Sequence, residues 1–216
     1  MPELSFEIAG VEAVVYAAAP TLSFKLQVLN RPAEEKIQNV ALRCQILIEV
    51  ARRKYSAEEQ SKLRDLFGEP ERWSQTVRNL LWTHATSAVQ PFAGRTGAAI
   101  VVPCTFDFNV AATKYFHGLG AGEIPLVFQF SGTVLYESRE GALLVAPIAW
   151  DKEARFRLPV RVWREMMDAH YPNSAWLCLR RDVFERLHGY KIRNGIPTWE
   201  EALEEVLDSA EEAVRS

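Results

Sequence analysis

The stretch IQNVALRCQILIEV, residues 37–50, decides the fold class, because its apolar side chains recur at every second position. This period-two pattern predicts a half-buried β-strand with one face turned to a core. The apolar face consists of Val40, Leu42, Cys44, Ile46 and Ile48. The strand therefore places the Cys44 thiol inside the protein.

Similar β-forming runs lie on both sides of this strand. Strands are predicted over residues 5–16, 21–29, 98–108, 124–137 and 142–150, the last two joined by a hairpin near Arg139-Glu140-Gly141. Residues 109–117 are ambiguous, although their Val, Thr and Tyr residues suit a strand. The glycine-rich residues 118–123 are expected to form the most flexible loop of the chain.

Helical patterns interrupt the strands and then replace them. Ser56 and Glu59 form a capping box that opens a helix to about Phe67, and Pro70 opens a second helix. Together they predict a helical insertion over residues 56–82, in which Trp73, Val77, Leu80 and Leu81 form an apolar stripe. Later helices are predicted over 160–170, from an Asp182 cap to Gly195, and from a Thr198–Glu201 capping box to about 214. Residues 175–179 suit a last short strand.

These elements predict an α+β fold built on an antiparallel β-sandwich, immunoglobulin-like or similar. We expect a sandwich domain over residues 1–155 and a helical segment over residues 156–216 packed on it. A doubly wound parallel fold is disfavoured, because strands do not alternate with helices along the chain.

The composition is that of an ordinary globular chain. The 216 residues are 48% hydrophobic and 25% charged, enough for one large domain or two small ones. Glu3, Glu7 and Glu12 interrupt the N-terminal region, which therefore does not read as a signal peptide, and no run is long enough to cross a membrane. Three cysteines without CxxC spacing indicate reduced thiols. We expect a cytoplasmic protein.

Sequence motifs of catalysis and cofactor binding are missing. GxGxxG, the phosphate-binding P-loop and GxSxG do not occur, and no two of the four histidines have metal-ligand spacing. We therefore expect no catalytic residue, no metal and no cofactor. Two alternatives stay open: an enzyme with a non-local site at Cys104, Asp107 and His117 on one hairpin, or a small metal-binding protein.

Charge is unevenly distributed. Residues 200–216 contain seven acidic residues and one basic residue, a formal charge of −6, so residues 1–199 carry +3 within the total of −3. Basic residues of the body occur only in short groups with acids between them, which disfavours nucleic-acid binding. Glu201 and Glu205 lie one turn apart on the acidic helix, which is either a solvated face or a docking helix for a basic partner.

Tryptophan and its neighbours supply the remaining candidate surface. Large apolar side chains make good interface anchors when they are exposed, and packing in the core is the alternative at each position. Trp73, Trp163 and Trp199 are expected to pack internally. The candidate interface comprises Trp82, His84, Phe92 and Trp150, together with Glu201 and Glu205.

Six runs of the chain carry a resemblance to a known family: FGEPERW (67–73), LLWTHA (80–85), VPCTFDF (102–108), AWDKEA (149–154), RLPVRVWREMMDAHYPNSAWL (157–177) and GIPTWEEAL (195–203). The chain resembles a bacterial domain-of-unknown-function family, whose members are often encoded near nickel–iron hydrogenase genes. The resemblance implies an accessory or adaptor role and carries over no catalytic residue. The sequence therefore predicts a non-catalytic protein-binding protein, linked through the resemblance to a hydrogenase system.

Overall fold

The computed structural model describes residues 2–138 and 140–215. The chain divides into two compact units, residues 1–174 and residues 175–216. The first unit contains β1 (Glu3–Ala13), β2 (Thr21–Arg31), β3 (Lys36–Ile48), α1 (Ala57–Phe67), α2 (Trp73–Thr76), β4 (Leu80–Val89), β5 (Phe92–Ala93), β6 (Arg95–Pro103), α3 (Val110–Gly118), β7 (Glu123–Glu137), β8 (Leu143–Pro147), β9 (Glu153–Pro159) and α4 (Val160–His170). The second contains α5 (Arg181–Arg193) and α6 (Trp199–Arg215).

Two antiparallel sheets form the centre of the first unit. One sheet has the order β1-β2-β6. The other has the order β4-β3-β7-β8, with β5 added on β3 and β9 added on β7. The mixed fold of antiparallel sheets and helices is confirmed, while the immunoglobulin-like topology stays a prediction.

Aromatic side chains from the two sheets meet in the core. Phe24 of β2 lies edge-on to Phe128 of β7, with ring centroids 5.1 Å apart, and Phe6 of β1 stacks on Phe130 of β7 at 4.4 Å. The predicted apolar stripe of β3 is buried along its whole length, Cys44 included. The alternating pattern of residues 37–50 was therefore interpreted correctly, because one face of the strand contacts the core and the other does not.

The prediction of a second helix from Pro70 to residue 82 is wrong beyond the first helical turn. A short 3₁₀ turn at Pro70–Arg72 leads into α2, which ends at Thr76, and Leu80 and Leu81 already belong to β4. β4 pairs along β3 from Ile48↔Leu80 to Val40↔Val89. The apolar residues here have helical spacing, but the segment forms a strand because it pairs with the edge of β3 that β7 leaves open.

Residues 110–118 form a helix where the sequence suggested a strand. The side chain of Asn109 accepts a hydrogen bond from the Ala112 amide at 3.0 Å and so caps α3. Ala112, Tyr115 and Phe116 are buried at helical spacing. A capping Asn at this position was the local signal for a helix, and it outweighs the β-propensity of the side chains that follow.

Smaller differences concern the later part of the chain. β9 was not predicted, and residues 175–179 form no strand. Asp182 lies in the first turn of α5, one residue past its start, while Arg180 is the residue before the helix. The β7–β8 connection closes through a hydrogen bond from the Ser138 amide to the Ala142 carbonyl, and Arg139 lies outside the described residues. Across the described ranges, no helix combines the length and apolar character needed to cross a membrane.

Candidate functional site

The six residues of the candidate interface are distributed over both units. Trp82 on β4 is only 4% exposed and packs between Phe24 at 6.1 Å and Phe116 at 5.0 Å. It is a core residue in this structure and offers no surface to a partner. Trp163 of α4 is likewise buried, as predicted.

The other aromatic candidates reach the surface to different degrees. Trp150 is 94% exposed in the turn between β8 and β9. His84 is exposed on β4, and Phe92 is half-buried on β5. These residues lie at three separate places in the first unit, and among these three residues Trp150 is the one whose large side chain is almost fully exposed to solvent.

Cys104 does not have the surroundings of a nucleophile. Its thiol is buried and donates a hydrogen bond to the Val102 carbonyl at 3.4 Å. Burial raises the pKa of this thiol to about 12, so the reactive thiolate is scarce at neutral pH. Cys44 has the same property for the same reason.

His117 does not face Cys104 across a hairpin, because it lies on α3. Its ring stacks on Phe106 at 5.5 Å and contacts the Trp163 ring edge-on at 4.9 Å. Burial and the nearby Arg164 charge lower the pKa of His117 against the opposite effect of Asp168. The ring is therefore held in an aromatic contact, and the described residues contain no group of three or more His, Cys, Asp or Glu side chains placed to hold a metal ion.

A buried polar network was not found by sequence reasoning. Arg53 pairs with Glu59, and its guanidinium also donates to the Ala121 carbonyl at 2.7 Å. The Gly120 amide donates to the Glu59 carboxylate at 2.7 Å. Arg164 donates to the Leu119 carbonyl. These bonds hold the glycine-rich loop 118–123 against α1 and α4. The charged side chains of Arg53, Glu59 and Arg164 therefore have a structural role.

Two tyrosines extend this network into the core. The Tyr55 hydroxyl donates to the Val50 carbonyl at 2.7 Å and lies 2.9 Å from the Tyr115 hydroxyl. Burial raises the pKa of Tyr115, and the neighbouring Tyr55 raises it further by a smaller amount. Both phenols therefore stay neutral at physiological pH and act as hydrogen-bonding groups.

A basic cleft of about 420 Å³ lies beside β9. Its lining includes the buried Glu49 and three arginines. Each arginine already lies within ion-pair distance of a carboxylate: Arg52 with Glu49 at 3.2 Å, Arg155 with Glu153 at 2.7 Å and Arg157 with Glu123 at 3.8 Å. The positive charges of these three arginines are consequently already paired with carboxylates of the protein.

The second unit carries a set of exposed apolar side chains on α6. The ring of Trp199, at the start of α6, contacts Phe184 of α5 at 5.3 Å, and Ala202 is buried. Further along α6 the apolar side chains are exposed, with Leu207 at 62% and Val214 at 88%. The exposed set recurs at helical spacing: Leu203, Val206, Leu207 and Val214, named here the α6 stripe.

Acidic residues flank the α6 stripe. The Thr198 hydroxyl accepts a hydrogen bond from the Glu201 amide at 3.2 Å, which is one half of the predicted capping box. Glu205 accepts a hydrogen bond from the Tyr190 hydroxyl at 3.0 Å. Glu201 and Glu205 are both exposed, so the two acidic candidates of the sequence lie on the same helix as the stripe.

Comparisons with known proteins place the chain in a family. Residues 1–215 match the model of the family of unknown function DUF6084, and the chain belongs to that family. No curated protein matches the chain at a significant level.

Two solved structures show limited likeness to the chain. A protein assigned to the late embryogenesis abundant (LEA) class is 13% identical with a TM-score of 0.31, covering 74% of this chain and 72% of its own. A protein assigned as ApaA from Bordetella pertussis is 10% identical with a TM-score of 0.24, covering 73% of this chain and 92% of its own. Scores this low carry no weight for fold or function.

Proposed function

We propose that the protein is a non-catalytic adaptor that binds a protein partner through the α6 stripe. The observation that carries this proposal is an amphipathic helix whose apolar side chains remain exposed beyond its first turn. Contiguous exposed apolar surface bordered by polar groups is a feature of protein-interaction sites. An amphipathic helix that lies in an apolar groove of its partner is a recurring mode of such recognition.

The charge of α6 specifies the kind of partner. Residues 200–216 carry a formal charge of −6, and the acids are distributed along the helix beside the stripe. A partner surface with an apolar groove and a basic rim would match both features. The rim charges would accelerate association, and burial of the Leu and Val side chains in the groove would contribute affinity through the hydrophobic effect.

Several further parts of the proposal rest on the sequence. The two sheets are proposed to form a β-sandwich that serves as the scaffold. A bacterial origin and a hydrogenase-linked partner are proposed from the family resemblance. A cytoplasmic location is proposed, and it is supported by the three cysteines, all of which are free.

Affinity purification of the tagged full-length chain at endogenous level tests the adaptor function. Leu207→Asp places a charge in the middle of the stripe, while Val101→Asp makes the same change at an exposed position of β6. We expect Leu207→Asp to lose a partner that Val101→Asp retains. The purified partner should then bind the wild-type chain with an affinity that falls as salt is raised. Identical partner sets for both variants would refute the proposal.

A further inference from the structure

The turn between β1 and β2, residues 14–20, is held by hydrogen bonds at both of its ends. The Val14 amide donates to the Thr21 carbonyl at 2.9 Å and closes the hairpin. The Cys104 amide donates to the Pro20 carbonyl at 2.7 Å and ties the end of the turn to the chain that follows β6. The middle of the turn depends on a different contact.

That contact is made by one imidazole ring at the C-terminal end of α4. His170, the last residue of α4, is half-buried, and its Nε2 lies 3.3 Å from the Ala17 carbonyl oxygen. Its Nδ1 lies 2.9 Å from the Met166 carbonyl oxygen, one helical turn earlier. Each ring nitrogen therefore faces an oxygen atom that can only accept a hydrogen bond.

Both contacts are hydrogen bonds only when the ring is an imidazolium. A neutral imidazole carries a single N–H, so it donates either to Met166 or to Ala17, and the lone pair of its other nitrogen then faces a carbonyl oxygen. An imidazolium carries an N–H on each nitrogen and donates to both oxygens at once. The last turn of a helix also favours a cation, because its unpaired carbonyl groups carry partial negative charge. The geometry therefore fits the protonated ring.

The turn has a physical reason to change conformation when this contact is lost. Tyr16 has a φ of +62°, in the left-handed region that is costly for a residue with a Cβ atom. The Tyr16 side chain is fully exposed and Val15 is 71% exposed, so packing of these two side chains does not hold the turn in place. The contact between His170 and Ala17 is therefore a constraint on the middle of the turn.

Other titratable groups at this end of α4 belong to several elements. Asp168 and Tyr171 are close to His170 along the chain, yet both ring nitrogens are directed at main-chain oxygens instead. Tyr16 is the titratable side chain of the turn itself. The charged residues nearest to the turn on β1 and β2 are Glu12 and Lys25, which pair with each other at 2.6 Å.

Two more elements approach the same end of the molecule. The loop before α3 contains Asp107, and its Phe106 ring contacts the Tyr171 ring with centroids 4.8 Å apart. α3 contributes His117, whose ring contacts α4 earlier along the helix. The remaining charged residues of β9 and α4 lie at least one helical turn before His170 along the chain: Glu153, Arg155, Arg157, Arg161, Arg164 and Glu165. Titration of His117 is therefore the second process that an experiment must separate.

We propose that the protonated form of His170 holds the β1–β2 turn against the end of α4, and that the neutral form releases the middle of the turn. As pH falls, a proton from solvent binds the unprotonated ring nitrogen, and the new N–H completes the second hydrogen bond. Histidine is the side chain that ordinarily changes charge between pH 5 and 8, so the turn responds to pH near the physiological range. This device lies within the first unit and does not depend on binding of a partner at the α6 stripe.

Nitrogen-15 NMR of the imidazole rings in the full-length chain tests the proposal, because ring shifts report the protonation of each nitrogen. Spectra between pH 5 and pH 9 should show His170 as an imidazolium at the acidic end and neutral at the other. Backbone order parameters of residues 15–18 should be about 0.85 with the ring protonated and should fall below about 0.6 when it is neutral. The amide shifts of these residues should follow the titration curve of the His170 ring.

Three variants assign the response to His170. His170→Phe keeps an aromatic ring but has no donor, so residues 15–18 should have low order parameters at every pH. His84→Phe makes the same change at an exposed position of β4 and should respond like the wild type. His117→Phe should also keep the wild-type response, which separates His170 from the histidine of α3.

Three results would overturn the proposal. The first is a His170 ring that stays neutral down to pH 5 while the turn remains ordered. The second is a turn whose order parameters do not change as the His170 ring titrates. The third is a wild-type pH response that persists in His170→Phe, because another group would then control the turn.

Discussion

The guanidinium of Arg53 donates a hydrogen bond of 2.6 Å to the carboxylate of Glu59, and each side chain is only 8% exposed. The Glu59 carboxylate also accepts hydrogen bonds from the Ser56 and Gly120 amides, so both of its oxygens are hydrogen-bonded. Removal of one partner of such a buried ion pair strongly destabilises the folded protein, because the other charge stays buried without compensation. This relationship holds the loop 118–123 against α1.

Removal of either partner should therefore destabilise the first unit. Glu59→Gln or Arg53→Met is expected to lower the free energy of unfolding by about 3 kcal/mol, because a buried charge loses its partner. Urea unfolding at neutral pH measures this change. The double variant should cost clearly less than the sum of the single variants, whereas strict additivity would show that the pair is not coupled.

The same carboxyl group should make stability depend on pH. Burial alone would raise the pKa of Glu59, but the amides of Ser56 and Gly120 and the Arg53 guanidinium outweigh it and hold the pKa below its ordinary value. A lowered pKa gives stability that is complete above the unfolded-state pKa of about 4.3 and is lost as pH falls through the folded-state pKa.

Comparison of wild type with Glu59→Gln across pH tests this linkage. The difference in unfolding free energy should be largest near neutral pH and should shrink as pH falls below about 4.3. Glu7→Gln, at an exposed position of β1, should differ little from the wild type throughout. A difference between wild type and Glu59→Gln that stays constant down to acid unfolding would contradict the linkage.

Local patterns explain which parts of the structure were predictable. The strand over residues 37–50 was readable, because every second side chain is buried. The Ser56–Glu59 capping box was also readable, since both partners lie within four residues. The second role of Glu59 was hidden, because Gly120 lies 61 residues away along the chain. β4 was misread, because the spacing of Val77, Leu80 and Leu81 fits a helix until pairing with β3 is known.

The candidate surfaces likewise divide into those that a local sequence pattern predicts and those that depend on distant segments. The acidic helix was predictable from its charge and apolar spacing, and the structure adds that its stripe is exposed. Trp82 was misjudged, because burial depends on Phe24 and Phe116, which belong to distant segments.

Gly132 should be irreplaceable for a steric reason. Its φ is +140°, and a Cβ atom there would lie 2.0 Å from the Ala41 carbonyl oxygen on β3. Gly132→Ala is expected to lower the free energy of unfolding by at least about 3 kcal/mol, since backbone must move. Gly141→Ala is the control, because nothing lies within 4 Å and only its φ of +84° opposes the change. It should cost about 1 kcal/mol, and equal costs in thermal unfolding would contradict this account.

Thiol reactivity should divide the three cysteines. Burial raises the pKa of Cys44 and Cys104 to about 12, whereas Cys178 is exposed. Titration of the folded protein with a disulfide reagent at neutral pH should show one fast thiol per chain, because only an accessible thiolate reacts. Cys178→Ser should remove the fast phase. If Cys104→Ser removed the fast phase instead, Cys104 would be the reactive thiol and again a candidate nucleophile.

Truncation should decide where the first unit ends. The sequence-based boundary at residue 155 assigns α4 to the C-terminal helices, whereas the compact units divide after residue 174. The central hydrophobic cluster includes Trp163, Met166 and Met167 of α4, and none of the described residues 175–215 belongs to it. A chain ending at Ser174 is therefore expected to fold by itself, because it retains that whole cluster.

Chemical unfolding of two truncated chains gives the measurement. The chain ending at Ser174 should unfold cooperatively, with a free energy of at least about 5 kcal/mol and near-ultraviolet circular dichroism intact. The chain ending at Pro159 should lose cooperativity, because removal of α4 uncovers the apolar side chains that Trp163 contacts, Phe116 among them. Cooperative unfolding of the shorter chain would instead support the boundary at 155.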